Sequence, residues 1–381
     1  MNTIYFDHAA TTPMHPAAIE AYVACASAGP SNPSSLHGSG RAARERVSVA
    51  RDSLAEMLGC SPAELVFTGG GTESDNAALF GAAFAQRKKG RNRIVATAVE
   101  HHAVLNVCRR LEAEGFELTI LPVDEFGRVR LEDAQAAIDE RTAVVSVMAG
   151  NNETGTLQPI AEIGEFARRS RALMHVDAVQ AFGYLPIDLR ELPIDLLSVS
   201  AHKINGPQGV GLLYVRRGTP WLPSLYGGSQ ERSRRAGTEN VAGIAAFAAA
   251  AGIARAQRQS RWQHAESVRA EALRQLAAHL GSERFVVNGH PEFRLPHVLN
   301  VSFPGISSES MLMNLDLAGV AASGGSACNS GSLKPSHVLE AMNLPSDRIA
   351  SAVRFSFGLG NTTDEAEKMA KIIATISARY A

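Results

Sequence analysis

The sequence of 381 residues predicts an α/β fold with a mainly parallel sheet, followed by a smaller α+β domain. Three observations favour this. Short apolar runs alternate with amphipathic helical patterns, which is typical of an α/β domain. Several runs are apolar on both faces, as in strands buried within a parallel sheet. The pattern changes after about residue 250, and a chain of this length favours two domains over one.

Six candidate strands lie in the first part of the chain, separated by helical patterns. The candidate strands are ELVFT (64–68), RIVATAV (93–99), AVVSVM (143–148), ALMHVDA (172–178), DLLSVSA (195–201) and GVGLLYV (209–215). The helical patterns include NAALFGAAFAQRKKG (76–90) and AVLNVCRRLEAEG (103–115). The second pattern ends at Gly115, and a glycine after a charged turn is a helix C-cap signal.

The last third of the chain has a different organisation. One long helix, from about 240 to 280, is predicted to lead into the strand patterns RFVVNG, HVLNVSFP and, after further helices, SAVRFSFG. A last helix, TDEAEKMAKIIATISARY (363–380), follows these strands. Strands and helices that do not alternate regularly are typical of an α+β domain.

Composition and charge favour a soluble, cytoplasmic protein. The net charge of −1 gives no electrostatic basis for binding nucleic acid or an anionic membrane. The first residues lack the features of a secretory signal, and no apolar run is long enough to cross a membrane. The cysteines Cys25, Cys60, Cys108 and Cys328 are not at metal-ligand spacing, so we expect free thiols and no metal site.

A glycine-rich turn could bind phosphate. FTGGGTESDNAALF places Gly69, Gly70 and Gly71 after a candidate strand and before a helix. The exposed N–H groups and the dipole of a helix start favour an anion. The segment is neither a Walker sequence nor GxGxxG, and a tight turn with Thr72 as helix cap explains it equally well.

An acid and a lysine follow two neighbouring strands. Asp177 ends the strand in MHVDAVQAFG, and Lys203 ends the next in SAHKINGPQGVG. Ligands of open α/β sheets bind at the carboxyl ends of strands. Pyridoxal phosphate needs such a pair, because a carboxylate keeps its ring nitrogen protonated and a lysine binds its aldehyde as a Schiff base. Taken alone, Asp177 could equally be a helix N-cap and Lys203 a solvated lysine.

These motifs extend along nearly the whole chain. The segments are YFDHAATTP, NPSSLHGSG, FTGGGTESDNAA, VEHHAVL, NNETGTLQPI, HVDAVQAFG, SAHKINGPQGVG, RRAGTENVAG, SGGSACNSGS and VRFSFG. In this order they resemble the class V branch of fold-type I pyridoxal-phosphate enzymes and, within it, the cysteine desulfurases with the longer cysteine loop. The resemblance implies a seven-stranded sheet. It also implies a large domain over 15–250 and a small domain over 1–14 and 251–381 that carries the loop of Cys328.

The resemblance implies a role for each matching residue of the cofactor site. Lys203 would hold the cofactor, Asp177 would bind the ring nitrogen, Gln180 the ring hydroxyl, and His101 would stack on the ring. Residues implied to hold the phosphate are Gly71, Thr72, Ser200, His202 and, from the partner subunit, Thr238. A site completed in this way requires a homodimer, the commonest closed assembly.

Two further residues would recognise the substrate, and a cysteine would decide the chemistry. Arg354 matches a carboxylate bidentately, although a structural ion pair would also explain a charge in this apolar strand. Asn152 could bond both the ring hydroxyl and the substrate carboxylate. Cys328 lies in the Gly/Ser-rich ASGGSACNSGSLKP, which predicts a mobile loop. The other three cysteines, in or beside helical patterns, are expected to be small buried apolar residues.

The resemblance implies removal of sulfur from L-cysteine, giving L-alanine and a persulfide on Cys328. Lys203 would move the Cα proton, and His101 would take the thiol proton. The sulfur would pass to an acceptor protein in iron–sulfur cluster assembly, or in tRNA or cofactor thiolation, and Cys328 could become a transient iron–sulfur ligand. Other interpretations are a selenocysteine lyase, another class V aminotransferase-family enzyme, or a non-enzymatic assembly scaffold.

Overall fold

The computed structural model describes residues 3–325 and 335–380. The strands are β1 Ile4–Tyr5, β2 Leu65–Thr68, β3 Arg93–Thr97, β4 Glu117–Leu121, β5 Thr142–Ser146, β6 Leu173–Asp177, β7 Leu196–Ser200, β8 Gly211–Val215, β9 Val286–Asn288, β10 Val298–Ser302, β11 Val320–Ala321 and β12 Ala352–Ser356. The helices are α1 Pro16–Ala26, α2 Gly38–Leu58, α3 Gly71–Arg87, α4 His102–Ala113, α5 Leu131–Ala137, α6 Ile160–Arg169, α7 Gln230–Ser233, α8 Val241–Ala256, α9 Arg258–Leu280, α10 Ser308–Leu317, α11 His337–Ala341, α12 Ser346–Ala350 and α13 Thr363–Ser377.

The main sheet has seven strands in the order β2-β8-β7-β6-β5-β3-β4. The five strands from β7 to β4 pair in parallel, and β8 runs antiparallel to both of its neighbours. Helices cover both faces, so the side chains of one strand enter two different apolar cores. In β3, for example, Val95 packs on one face and Ile94 on the other. The prediction of an α/β fold with a mainly parallel sheet is confirmed.

Three local predictions were wrong or incomplete. No strand was predicted over β4, because this edge strand is half exposed and lacks a continuous apolar run. The single helix predicted over 240–280 is two helices, since the backbone at Gln257 leaves helical geometry (φ −101°, ψ 8°). Thr72 does not cap α3. The helix begins two residues earlier than such a cap would place it, at Gly71 with Gly70 as its N-cap, so Thr72 lies in the first turn.

A third apolar core lies mainly in the last third of the chain and includes the N-terminal residue Phe6. Phe6 packs with Val268 of α9, Phe355 of β12 and Ile373 of α13. We propose that this core is the smaller domain, comprising 1–14 and 251–381 beside a large domain over 15–250. Among the described residues, no helix is both long enough and apolar enough to cross a membrane.

Candidate cofactor and substrate site

A cavity of about 190 Å³ lies where β6 and β7 end. Because parallel strands present their carboxyl ends at one edge of the sheet, residues far apart in sequence meet there. The predicted site residues that line the cavity are Gly71, Thr72, His101, Asn152, Asp177, Gln180, Ser200, His202, Lys203 and Arg354. The structure thus brings into one cavity side chains that span more than 280 positions of the chain.

Asp177, the last residue of β6, is buried at the floor of this cavity. Its Oδ1 accepts a hydrogen bond from the Val179 N–H at 2.9 Å, so it also closes the turn after the strand. Burial raises the pKa of Asp177 to about 6, against the opposing effects of that N–H and of Lys203. A cation placed beside this carboxylate would therefore be stabilised more strongly than in water.

Lys203 ends the single helical turn Ala201–Lys203 directly after β7. Its Nζ donates to the carbonyl oxygens of Ala9 and Ala10, each at 2.6 Å. The turn is tight, because a Cβ on Gly206 would lie 2.8 Å from the Ala201 carbonyl oxygen. The Gly-Pro segment after Lys203 thus fixes the backbone, and the N-terminal segment holds the amine inside the cavity.

The start of α3, which also lines the cavity, has the features of an anion site. The first turn of α3 has no side-chain cap, which leaves backbone N–H groups available to an anion. Gly70 has φ 150°, and a Cβ on Gly71 would lie 2.7 Å from Cγ2 of Val179. Ser200 and His202 face the same space. A helix start, a carboxylate and an amine in one cavity fit the phosphate, ring nitrogen and aldehyde of pyridoxal phosphate.

His101 lines the cavity and is also the N-cap of α4. Its Nδ1 accepts from the Ala103 N–H at 3.1 Å, which favours the tautomer with the proton on Nε2. Burial and the nearby Lys203 lower the pKa of His101 to about 4, so the ring is neutral at pH 7. In this tautomer the ring takes up a proton at Nδ1 only by losing the bond from Ala103.

Arg354 is only 1% exposed, in the middle of β12. One amino group donates to Oδ1 of Asp7 at 2.8 Å, and the other donates to the backbone carbonyl of Asn152 at 2.9 Å. The structural ion pair considered from the sequence is therefore present. This ion pair compensates for burying the charge of Arg354, and it fixes the guanidinium in the wall of the cavity.

Gln180 connects the cavity to a second buried group of side chains. Its Nε2 donates to the Ala9 carbonyl at 2.8 Å, so the same carbonyl accepts from Gln180 and from Lys203. Its Oε1 lies 3.3 Å from Nε2 of His297, whose ring stacks on Tyr184 at 4.0 Å. These contacts fix the Gln180 side chain at the wall of the cavity.

Two predicted residues are not placed in this cavity. Thr238 is exposed and does not line it, and its role in the site of a partner subunit stays a prediction. Cys328 lies outside the described residues. Cys108 is buried as predicted, whereas Cys25 and Cys60 are only half-buried.

Several residues of the site were not predicted. Asp7 pairs with Arg354, the carbonyls of Ala9 and Ala10 hold Lys203, and Asp75 lines the same cavity as Asp177. All lie in segments that were noticed in the sequence, YFDHAATTP and TESDNAA. No spacing signal pointed to them, because their roles come from contacts between distant segments. Among the described residues, no cluster of three or more His, Cys, Asp or Glu could hold a metal.

Known proteins share this sequence and this fold. Residues 4–369 match the family Aminotransferase class-V. A putative cysteine desulfurase IscS 1 of Bacillus subtilis (strain 168) is 48% identical over 383 residues, and the match covers 100% of both chains. A solved NifS-like protein superposes with a TM-score of 0.92 at 36% identity, covering 99% of this chain and 100% of that one. SspA, solved in complex with cysteine, gives a TM-score of 0.80 at 33% identity and covers 93% of this chain and 99% of its own.

The family match covers almost all of the sequence, and the relatives match over essentially their full lengths. The resemblance found in the motifs is therefore confirmed. The chain belongs to the aminotransferase class-V family and, within it, to the cysteine desulfurases, enzymes that use pyridoxal phosphate.

Proposed function

We propose that this chain removes sulfur from L-cysteine with Lys203 as the base, Arg354 as the carboxylate receptor and Cys328 as the sulfur acceptor. One observation supports the first two roles. The amine of Lys203, the carboxylate of Asp177 and the guanidinium of Arg354 line the same cavity. When bound there, pyridoxal phosphate supplies an aldehyde that condenses with amines and a ring that delocalises electrons.

Some residues of the cavity would bind the cofactor, and Lys203 would also transfer a proton. We assign the phosphate to Gly71, Thr72, Ser200 and His202, and the ring to Asp177, Gln180 and His101. Lys203 would hold the aldehyde of the cofactor, and its amine, when not bound to the aldehyde, would remove the Cα proton of the substrate. Its two carbonyl acceptors, on Ala9 and Ala10, position Nζ at the cavity wall for this transfer.

Arg354 and Asn152 bind the substrate carboxylate. Because Asp7 and the Asn152 carbonyl already fix the guanidinium, little conformational entropy is lost on binding. This places the Cα–H bond relative to Lys203, which is the main contribution of a substrate-binding residue to rate. That SspA was solved in complex with cysteine supports the assignment of this amino acid as substrate.

Cys328 completes the reaction. As a thiolate it attacks the substrate sulfur, so that an S–S bond forms and the Cβ–S bond breaks, leaving alanine after proton return and a persulfide on the protein. His101 takes the thiol proton at Nδ1, at the expense of its bond from Ala103. The assignment of Cys328 rests on the resemblance of its sequence context.

We further propose a cytoplasmic homodimer that passes sulfur to an acceptor or iron–sulfur scaffold protein, with Cys328 as a transient cluster ligand. The exposed position of Thr238, outside the cavity of its own chain, supports a role in the partner's site. The free thiols of Cys25, Cys60 and Cys108 are compatible with a reducing compartment. Sedimentation at the mass of a single chain would contradict the dimer.

A product assay tests the proposed reaction. Purified protein with pyridoxal phosphate and L-cysteine should release alanine and, with a thiol reductant, sulfide in equal amounts. Mass spectrometry before reduction should find one extra sulfur on the peptide that contains Cys328. Turnover of selenocysteine alone would indicate a lyase for that substrate, amino transfer to a keto acid would indicate an aminotransferase, and no cofactor binding would indicate a scaffold.

Replacing Arg354 by lysine tests the carboxylate site. Lysine keeps the charge beside Asp7 but loses the planar fork. We expect KM for L-cysteine to rise about 10–100-fold, because a hydrogen bond to a charged group contributes about 1.5–3 kcal/mol. The exposed Arg258→Lys is the matched control and should leave KM unchanged. If R354K had an unchanged KM and only a lower free energy of unfolding, Arg354 would stabilise the fold and would not bind the substrate carboxylate.

A further inference from the structure

A second carboxylic acid lies in the cavity beside Asp177. Asp75 is only 1% exposed and lines the same cavity. It lies on α3 four residues after Gly71, on the face of the helix that meets the sheet. The proposed function uses Asp177 and Gly71 but assigns nothing to Asp75, so this buried acid needs a physical explanation.

The contacts of Asp75 are those of an uncharged group. Within residues 3–325 and 335–380, its Oδ1 has no hydrogen-bond partner, and it lies 3.5 Å from Nε2 of His175. His175 is fully buried and forms two hydrogen bonds. Its Nδ1 lies 2.8 Å from Oγ of Ser146, and its Nε2 lies 2.9 Å from Oγ of Ser198. Burial lowers the pKa of His175 to about 3, so the ring is neutral and provides no counter-charge. The remaining partner of Asp75 is the neutral hydroxyl of Ser198.

The strand geometry places the other charged groups around Asp75. His175 and Asp177 are two residues apart on β6 and therefore share one face, and Ser198 is opposite Asp177 on β7. Glu100, just before α4, acts on Asp75 electrostatically, and Lys203, at the end of the turn after β7, acts on Asp177. Two carboxylates that share one low-dielectric site do not both ionise readily. Ionisation of one of the pair therefore favours a proton on the other.

The surroundings of Asp75 and Asp177 determine which of these two carboxyl groups holds the proton. Asp177 accepts the Val179 N–H and has the Lys203 ammonium nearby, and both stabilise its ionised form. Burial, and then the charge of Asp177, raise the pKa of Asp75 well above its usual value, and only Ser198 opposes this. A cofactor with a protonated ring nitrogen would favour ionised Asp177 further. The proton is therefore more stable on Asp75.

We propose that Asp75 is a positioning residue that stays protonated at pH 7 and leaves Asp177 as the ionised carboxylate for the ring nitrogen. This inference rests on the proposed role of Asp177. Asp75 does not touch the reacting atoms. Because it is uncharged, it adds no second negative charge near Asp177, and its hydroxyl hydrogen can bond to Ser198. Of the two acids in this site, Asp75 is thus neutral and Asp177 is negatively charged, because their surroundings differ.

Infrared spectroscopy of the full-length protein tests this directly, with pyridoxal phosphate bound and after its removal. At pH 7, wild type should show the C=O band of a protonated carboxylic acid, and [4-¹³C]aspartate should shift it, which separates it from any band of buried Glu100. The band should disappear in Asp75→Asn and persist in Asp177→Asn. Exposed Asp52→Asn is the matched control and should leave it unchanged.

The pH dependence of unfolding gives a second measurement. Since the folded state holds the Asp75 proton above the pKa of an unfolded aspartate, the free energy of unfolding contributed by this group falls as pH rises. Between about pH 5 and about pH 8, unfolding of wild type should therefore release up to about one proton more than unfolding of D75N.

The outcomes separate this inference from the proposed function. An isotope-sensitive band that is absent from wild type at pH 7, or that remains in D75N, would overturn the inference even if desulfuration proceeds. If D75N does not fold, the isotope shift in wild type and the persistence of the band in D177N still decide it. A lower titration midpoint of Asp177 in D75N would show that Asp75 carries a charge and would also overturn it.

Discussion

Replacing Cys328 by serine is expected to lower sulfide release from L-cysteine by at least about 10³-fold, the scale on which removing a nucleophile acts. A serine oxygen is a far weaker nucleophile toward sulfur than a thiolate and cannot form the S–S bond that stores the product. Cofactor binding should persist, because the substitution changes none of the described residues that line the cavity. The measurement is sulfide and alanine production, together with the mass of the peptide that contains position 328.

The matched control is Cys25→Ser, which changes a half-buried free thiol. This variant should keep wild-type turnover and persulfide mass. If Cys328→Ser retained sulfide release with alanine in equal amount, the acceptor thiol would have to be another group, and the persulfide step proposed for this chain would be wrong.

Replacing Lys203 by alanine is expected to remove the visible absorbance of the covalently bound cofactor and to slow turnover by at least about 10²–10⁴-fold, the contribution of a positioned acid–base group. The variant loses the amine that binds the aldehyde and also the base for the Cα proton. The carbonyls of Ala9 and Ala10 lose their shared donor, so cofactor absorbance should be measured alongside thermal unfolding.

Lys88→Ala, on the exposed end of α3, controls for loss of a lysine and should change neither absorbance nor rate. Lys203→Arg retains a cation near Asp177 but cannot form the covalent bond. It should therefore keep the fold and lose activity. A K203A protein with the absorbance and rate of wild type would place the covalent bond at another lysine and remove the basis of the site assignment.

Much of the fold and the site was predictable from the sequence alone. The strands of the sheet carry continuous apolar runs because they are buried on both faces, so β3, β5, β6, β7 and β8 were found to within a few residues. Asp177 and Lys203 were found because each follows such a run. The family was recognised because ten segments match its motifs in order, and most of the predicted residues that the structure describes line one cavity.

Other features depend on contacts between segments that are distant in sequence, and no local pattern encodes them. The edge strand β4 pairs with β3 alone and shows too few buried positions to be seen as a strand. The break at Gln257 lies in a segment whose composition favours one continuous helix.

The charges of the site were likewise decided by the tertiary structure. Asp7 is an ordinary acid in sequence, and it becomes the partner of Arg354 across 347 positions because the N-terminal segment lies beside β12. Asp75 looks like one more polar residue of α3 until the helix packs on the sheet beside Asp177 and His175. The sequence by itself determined which chemical groups this protein has and which family they belong to. Burial and long-range packing decided which groups meet and in what protonation state, because dielectric environment and neighbouring charge are properties of the folded chain.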